Sequence, residues 1–574
     1  MDNLTKYRMW LEYPSLDTEL LEELQQIAGR DEEISSRFSR ELLFGTGGIR
    51  GKMGAGTARM NIYMVRRATE GMSRYLQSLP QEGPRSVVIA YDTRHNSLNF
   101  ARETASVLTR HGIKAYLFQK PEPTPLLSFA VRELQASAGV VVTASHNPPA
   151  DNGYKVYGPD GGQITDTLAQ AITREIEQVG NSLAVEGSDL ETAAREGLLQ
   201  EVPEAVTHRY LELLSSLILS SDWRPKGPLP VRVVYTPLHG TGSEIMPRVL
   251  QAAGVEDLFL VPEQTSQDPC CSTVRSPNPE DWDVFQMAIR LGQEKQADLL
   301  LATDLDGDRL GAAVRDAKGN FTPLTGNQMG CLMLDYILSR RKAQSRLPSR
   351  GMIVKTVVTS EMGRAIADSY GVETIETLTG FKYIGEKIME LSDTGQKVFL
   401  FGYEESYGFL MGDFVRDKDG LQAAQLLSEM TAFYKEQCMT LLDALEQLYR
   451  KHGYYLEELI NLELKEGQLD QVGKTMENLR SLTLQEIGGT PLTRVDDYLH
   501  QKSRDMAAGW QPTGLPSSNS LKFYLAEKAW FCVRPSGTEP KIKIYLGAKG
   551  KSRPQAEKVL SSLKDAVLSL VKWE

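Results

Sequence analysis

Three aspartates at alternate positions, in Thr303-Asp304-Leu305-Asp306-Gly307-Asp308-Arg309, are the most specific local signal in the sequence. In an extended segment alternate side chains share a face, so the three carboxylates can meet. Carboxylates brought together repel one another unless a cation or a proton intervenes. Oxygen donors alone, few of them from protein, favour Mg²⁺. A helix–loop–helix calcium site is excluded, because Arg309 stands where its turn glycine belongs and Arg315 where its bidentate glutamate belongs. Arg309 suits a phosphate better than a metal cage.

Thr143-Ala144-Ser145-His146-Asn147-Pro148-Pro149 offers a hydroxyl on a loop. The run Gly139–Val142 reads as a buried strand, and Asn-Pro-Pro ends it, since proline lacks an N–H and fixes φ. Ser145 then lies beyond a strand end, where α/β sheets hold ligands. Lys155 follows the turn at Asp151-Asn152-Gly153. A hydroxyl with a cation nearby suits acyl or phosphoryl chemistry.

Three further loops carry weaker signals. Gly402-Tyr403-Glu404-Glu405-Ser406-Tyr407-Gly408 offers carboxylates and a hydroxyl suited to sugar hydroxyls, with Arg416, Lys418 and Asp419 just after it. Arg534-Pro535-Ser536-Gly537-Thr538-Glu539-Pro540-Lys541 combines a guanidinium, hydroxyls, an ammonium and glycine-freed N–H groups, and reads as an anion cradle. Phe44–Gly51 is glycine-rich but matches no nucleotide fingerprint; it is either a tight turn or a nest that brings Arg50 to an anion. His146 and His239 are possible general bases, although a hydrogen-bonded loop histidine is the favoured reading for both.

The elements that must position these loops repeat. Strand, helix, glycine, strand occurs at Ser86–Ala90, Phe100–Arg110, Gly112 and Ile113–Phe118. It recurs at Val231–Tyr235, Glu244–Ala253, Gly254 and Val255–Val261, and again at Met352–Val357, Glu361–Tyr370, Gly371 and Val372–Ile375. Such a βαβ order makes a mostly parallel sheet. Each repeat is followed by an apolar run that ends at a polar loop, carrying Ser145, Asp304 and Glu404 in turn. Three related α/β domains would bring three equivalent loops to one cleft. Leu456–Leu464, Lys541–Leu546 and the helical stripe Pro554–Val571 imply a fourth, α+β domain. The expected divisions are 1–205, 206–325, 326–450 and 451–574. Residues 1–40 read as a solvated helical arm, and 183–205 and 465–520 carry no readable function.

A chain of 574 residues is too long for one core. Its net charge of −11 argues against nucleic acid as main ligand. Neither a signal peptide nor an apolar membrane span is evident. The five scattered cysteines fit reduced thiols in the cytoplasm.

Taken in order, the Ser145, Asp304–Arg309, Gly402–Ser406 and Arg534–Pro540 motifs resemble those of the α-D-phosphohexomutases, from about residue 40 to the C-terminus. Phe44–Gly51, Ser276-Pro277-Asn278-Pro279-Glu280 and Thr379-Gly380-Phe381-Lys382 add to the resemblance. Length and the sugar loop look most like the phosphoglucomutase and phosphopentomutase branch. The resemblance implies four domains around a central cleft, with Ser145 as a phosphoserine. It implies Mg²⁺ on Asp304, Asp306, Asp308 and a Ser145 phosphoryl oxygen. It also implies that Arg50, Lys155 and Lys418 match basic family positions near the reacting groups, beside the candidate base His146. Substrate would be held by Arg309, Thr379, Gly380, Lys382, Glu404, Ser406, Lys418, Arg534, Ser536, Gly537 and Thr538. The implied reaction is interconversion of glucose 1-phosphate and glucose 6-phosphate through glucose 1,6-bisphosphate, which also serves as activator. Pentose or mannose phosphates, sugar-bisphosphate synthesis, or an inactive sugar-phosphate binder are the alternatives. Tyr403 and Tyr407 depart from the usual sugar loop, and Leu305 replaces a common glycine. The expected partners are sugar phosphates, with no membrane or nucleic acid, in a monomer or weak dimer.

Overall fold

The computed structural model describes residues 1–571 apart from 46, 81–82, 225–226, 464–468, 483, 527–528 and 536–540. Four sheets organise them. The first runs in the order Gly48–Lys52, Asp151–Tyr157, Ala138–Val142, Ser86–Tyr91, Lys114–Leu117, Leu199–Glu201. Its last four strands are parallel, and Asp151–Tyr157 and Gly48–Lys52 add antiparallel. The second sheet is Phe321–Leu324, Leu310–Arg315, Leu299–Thr303, Arg232–Thr236, Asp257–Leu260. The third is Glu373–Thr377, Gly351–Thr356, Val398–Glu404, Gly408–Leu410.

These three sheets share one plan, as the repeat implied. A central strand feeds a crossover helix, either Ser97–Arg110, Gly242–Ala252 or Glu361–Ser369. Each helix stops at a glycine with positive φ: Gly112 at +68°, Gly254 at +93° and Gly371 at +70°. Added Cβ atoms at Gly112 and Gly371 would meet nothing within 4 Å, so the left-handed backbone, not crowding, calls for glycine there. On the other side of each central strand lies a parallel strand that turns back as a hairpin: Ala138–Val142 into Asp151–Tyr157, Leu299–Thr303 into Leu310–Arg315, Val398–Glu404 into Gly408–Leu410. The three chemically rich loops are these three hairpin turns. One apolar cluster runs from Val88 through Leu301 to Tyr455, so the units pack on a common core.

The fourth sheet has eight strands, paired antiparallel throughout. Val472, Met476 and Leu479 from Leu469–Ser481, and Leu563 and Val567 from Arg553–Leu570, share its core. The described residues of 465–520 thus include a helix and four strands, Glu486–Ile487, Thr490–Asp497, Lys502–Asp505 and Gly509–Pro512. None of the described helices is long and apolar enough to cross a membrane. All five cysteines are free.

Two expectations are corrected. Residues 1–40 are no solvated arm: helices Asn3–Leu11, Thr18–Gln26 and Asp31–Phe38 bury Tyr7, Trp10, Leu24, Ile34 and Phe38. Trp10 meets Phe38 and Tyr63 edge-on, with centroids 5.8 and 5.5 Å away. A few large rings suffice for a core even among many acidic residues. Nor is the glycine segment a nest or a turn throughout: Gly48–Lys52 is an edge strand, with Arg50 opposite Gly153. A Cβ on Gly48 would stand 2.0 Å from the Tyr154 carbonyl oxygen, so glycine here permits strand approach.

Candidate functional site

Ser145 is 3% exposed at the tip of the first hairpin, with φ at +52°. Its Oγ donates to Asp304 Oδ2 at 2.6 Å, joining the first unit to the second. His146 Nδ1 is 3.2 Å from the same Oγ. Burial, then Arg309 and Arg50, push the His146 imidazole well below its ordinary value, so it is neutral at neutral pH. Arg50 donates to Asn147 Oδ1 at 3.0 Å in this loop.

The aspartates do converge, but not on an extended segment. Gly307 N–H donates to Asp304 O at 3.1 Å and Gly307 takes φ +67°, which makes a turn. All three side chains are fully buried and offer oxygens within 4.8 Å of one another. Lys155 Nζ donates to Asp306 Oδ2 at 2.7 Å and approaches Asp308 Oδ2 at 3.4 Å. Lys418 Nζ lies 2.8 Å from Asp308 Oδ2. Burial raises the Asp306 carboxyl, but Lys155 and Lys418 overcome it and hold the group below its ordinary range. Asp304 has no such lysine; burial, Asp306 and Asp308 drive it well up. Asp306 Oδ1 and Asp308 Oδ1 are buried without a hydrogen-bond partner. Orphaned anionic oxygens of this kind want a cation. The donor set therefore fits Mg²⁺.

The third hairpin docks directly on the second: Leu310 N–H donates to Tyr407 O at 3.1 Å, and Arg309 bridges Gly408. Glu404 ends its strand at 6% exposure, and burial raises its carboxyl to about 7 against the pull of Lys418. Ser406 is half-buried in the turn. Glu405 faces away, accepting from Thr356 and Thr359 hydroxyls at 3.1 and 3.2 Å. Tyr403 is in the core, stacked on Phe401 at 5.4 Å, and so does not shape the sugar loop. Arg309 pairs with Glu280 at 2.5 Å. Arg416 turns away to Asp393, and Asp419 caps the helix Gly420–Glu436; of these neighbours Lys418 reaches the aspartates.

Lys382 and Tyr383 both donate to Asp166 of the first unit, at 2.8 Å each. Thr379 is half-buried, and Gly380, at φ +115°, precedes the helix Phe381–Leu391. Arg534 lies at the end of strand Trp530–Pro535, beside Tyr545. Ser536, Gly537 and Thr538 lie outside the described residues. His239 is a satisfied loop residue, as favoured: its ring meets Ser266 O at 3.0 Å and Thr273 Oγ1 at 2.8 Å.

Sequence reasoning missed several partners. Thr124 reaches Asp306 with its N–H at 2.9 Å and its hydroxyl at 3.0 Å. Asp92 and Arg94 underpin the Ser145 loop, and Asp166 holds Lys382. Asp92-Thr93-Arg94 follows the strand Ser86–Tyr91, which was a usable signal: it is a polar loop at a strand end, like the other three.

Family models for phosphoglucomutase/phosphomannomutase match in four pieces: alpha/beta/alpha domain I at 41–182, domain II at 208–319, domain III at 325–452 and the C-terminal domain at 459–566. A phosphoglucomutase of Staphylococcus haemolyticus is 39% identical over 515 residues, 89% of this chain and 90% of that protein. One from Staphylococcus aureus (strain USA300) is 39% identical over 526 residues, 90% of this chain and 92% of that protein. Among solved structures, the open form of the Paramecium phosphoglucomutase parafusin superposes with a TM-score of 0.67 at 16% identity, covering 92% of this chain and 94% of that one. A Burkholderia thailandensis phosphoglucomutase/phosphomannomutase family protein gives 0.66 at 19% identity, covering 92% and 98%. At such identities the two structures speak to fold alone. The matched models and curated relatives carry the assignment: this chain belongs to the phosphoglucomutase/phosphomannomutase family, the α-D-phosphohexomutases.

Proposed function

We propose that this enzyme interconverts glucose 1-phosphate and glucose 6-phosphate, with a phosphorylated Ser145 and glucose 1,6-bisphosphate as intermediates. The observation that carries the reading is Ser145 Oγ held 2.6 Å from Asp304 in a buried carboxylate cluster flanked by Lys155 and Lys418. The relatives named phosphoglucomutase supply the sugar.

Asp304, Asp306 and Asp308 would hold Mg²⁺, with a Ser145 phosphoryl oxygen as a further ligand. When bound, the ion neutralises charge on the transferring phosphoryl group. The protein groups do the rest. Lys155 and Arg50 stabilise negative charge at the reacting phosphate. His146, neutral beside Ser145 Oγ, accepts the serine proton as the phosphoryl group returns. Glu404 and Ser406 take sugar hydroxyls, and Arg309 and Lys418 hold the reacting end. Arg534, Ser536, Gly537 and Thr538, with Thr379, Gly380 and Lys382, hold the remote phosphate. Because the bisphosphate must turn over between half-reactions, that remote cradle accepts either phosphate. Burial of Ser145 favours transfer to sugar over loss to water. The proposed units are 1–205, 206–325, 326–450 and 451–574.

The test is initial rates with Mg²⁺ and a trace of glucose 1,6-bisphosphate on glucose, mannose and ribose 1-phosphates. The reading expects glucose 1-phosphate to have the highest kcat/KM. A higher value for ribose or mannose would move the substrate and keep the chemistry.

A further inference from the structure

We infer that Arg94 is the positioning residue that sets Ser145 for phosphoryl transfer, an inference that rests on the phosphoserine reading above. Ser145 stands in the left-handed region, which is strained for a residue with a Cβ. Such a conformation persists only where its surroundings impose it. Arg94 imposes it. Its Nη2 donates to the carbonyl oxygens of Ser145 at 2.6 Å and Asn147 at 2.5 Å. Its Nη1 donates to those of Pro148 at 2.8 Å and Asp151 at 3.0 Å. Pro148 and Pro149 remove two N–H groups from this loop, so it has few ladder bonds of its own. One guanidinium ties both limbs together instead.

Arg94 is itself anchored. Its side chain and that of Asp92 are fully buried and form an ion pair at 3.3 Å. Asp92 Oδ1 accepts from the Arg94 N–H at 2.9 Å and from the Ser97 hydroxyl at 2.6 Å. Ser97 Oγ accepts from Asn152 Nδ2 at 3.0 Å, and that same nitrogen donates to His95 O at 2.9 Å. Asn152 begins the hairpin's return, so the strand after the loop is hooked to the same support. On the near side, Ser145 N–H donates to Thr143 Oγ1 at 2.8 Å. Every described side-chain hydrogen bond of Arg94 ends on a carbonyl of the Ser145 loop. It touches no reacting group; it fixes where Oγ points.

Only arginine has the planar fork of donors that serves four carbonyls; a lysine keeps the charge but not the geometry. Misplacing a reacting group by about 1 Å can cost on the order of 10²-fold in rate. Arg94→Lys, which leaves Asp92 with a cation, should therefore lower kcat on the order of 10²-fold with KM for glucose 1-phosphate unchanged. It should also raise the share of turnovers that release inorganic phosphate, as water attacks a phosphoserine no longer aimed at sugar. Thermal unfolding of the same variant separates positioning from folding. Should Arg94→Lys fail to fold, Asp92→Asn, which loosens the anchor and keeps the fork, should show a smaller kcat loss of the same pattern. A rate loss that appears in KM, or phosphate release in the wild-type proportion, overturns the inference. Intact mass of the wild type keeps the two readings apart. If wild type never carries a phosphoryl group on Ser145, the phosphoserine reading fails. If it does and Arg94→Lys turns over at the wild-type rate, the positioning role fails alone.

Discussion

The reacting end of the cleft and its far end are built differently. At the reacting end, three hairpin turns from three units interlock: Ser145 on Asp304, Lys155 on Asp306, Lys418 on Asp308, and Leu310 on Tyr407. The groups there are buried and mutually bonded. At the far end, Lys382 and Tyr383 are tied to Asp166, a carboxylate that occupies the Lys382 ammonium proposed for substrate. On the proposed reading the chemistry is pre-assembled before substrate arrives, whereas the proposed remote grip must exchange one anion for another. Preorganisation belongs where charge develops in the transition state; exchangeable contacts belong where a turning bisphosphate must be released and caught again.

Substitutions can break this contrast. Ser145→Ala should abolish turnover, by on the order of 10⁶-fold as for loss of other nucleophiles, with the fold intact by thermal melting. Normal rates in that variant would dissolve the reacting end as described. His146→Asn should lower kcat about 10²-fold, the lower range for a lost proton acceptor. A matching rise in KM instead would make His146 a binding group. The Glu404 carboxyl, held at about 7, is protonated below that pH and loses the charge that its proposed role as an acceptor for sugar hydroxyls uses. KM for glucose 1-phosphate should rise about tenfold from pH 8 to pH 6, as the ionised fraction falls. Glu404→Gln should flatten that dependence; a profile that survives the substitution assigns it elsewhere. At the far end, Asp166→Asn should lower KM by roughly threefold with kcat unchanged, because substrate no longer displaces a carboxylate from Lys382. A fall in kcat would mean that Asp166 holds the catalytic arrangement rather than competing with substrate.

What the sequence made legible follows the same divide. The repeat of strand, helix and glycine was visible because each helix needs a left-handed stop that glycine supplies, and it correctly implied three equivalent loops. The three aspartates were visible by spacing, yet their backbone was misread as extended; Gly307 at φ +67° makes it a turn, and the carboxylates meet through the turn. Arg94 went unread because its partners are carbonyl oxygens, which carry no side-chain identity and lie about fifty residues away in sequence. Tyr403 was placed on the sugar loop by adjacency, although the strand's alternation sends it into the core opposite Glu404. The helices before residue 40 were missed as a core because their apolar residues are sparse and large. Fold was carried by periodicity and caps; the site's support was carried by backbone contacts between distant segments.

The most direct test of the central claim is peptide mass spectrometry of the protein after incubation with glucose 1,6-bisphosphate and Mg²⁺. One phosphoryl group should appear on the peptide holding Ser145, and it should leave when glucose 6-phosphate is added in excess. A protein that turns over glucose 1-phosphate while Ser145 stays unmodified, or that carries the phosphoryl group on another residue, would contradict it.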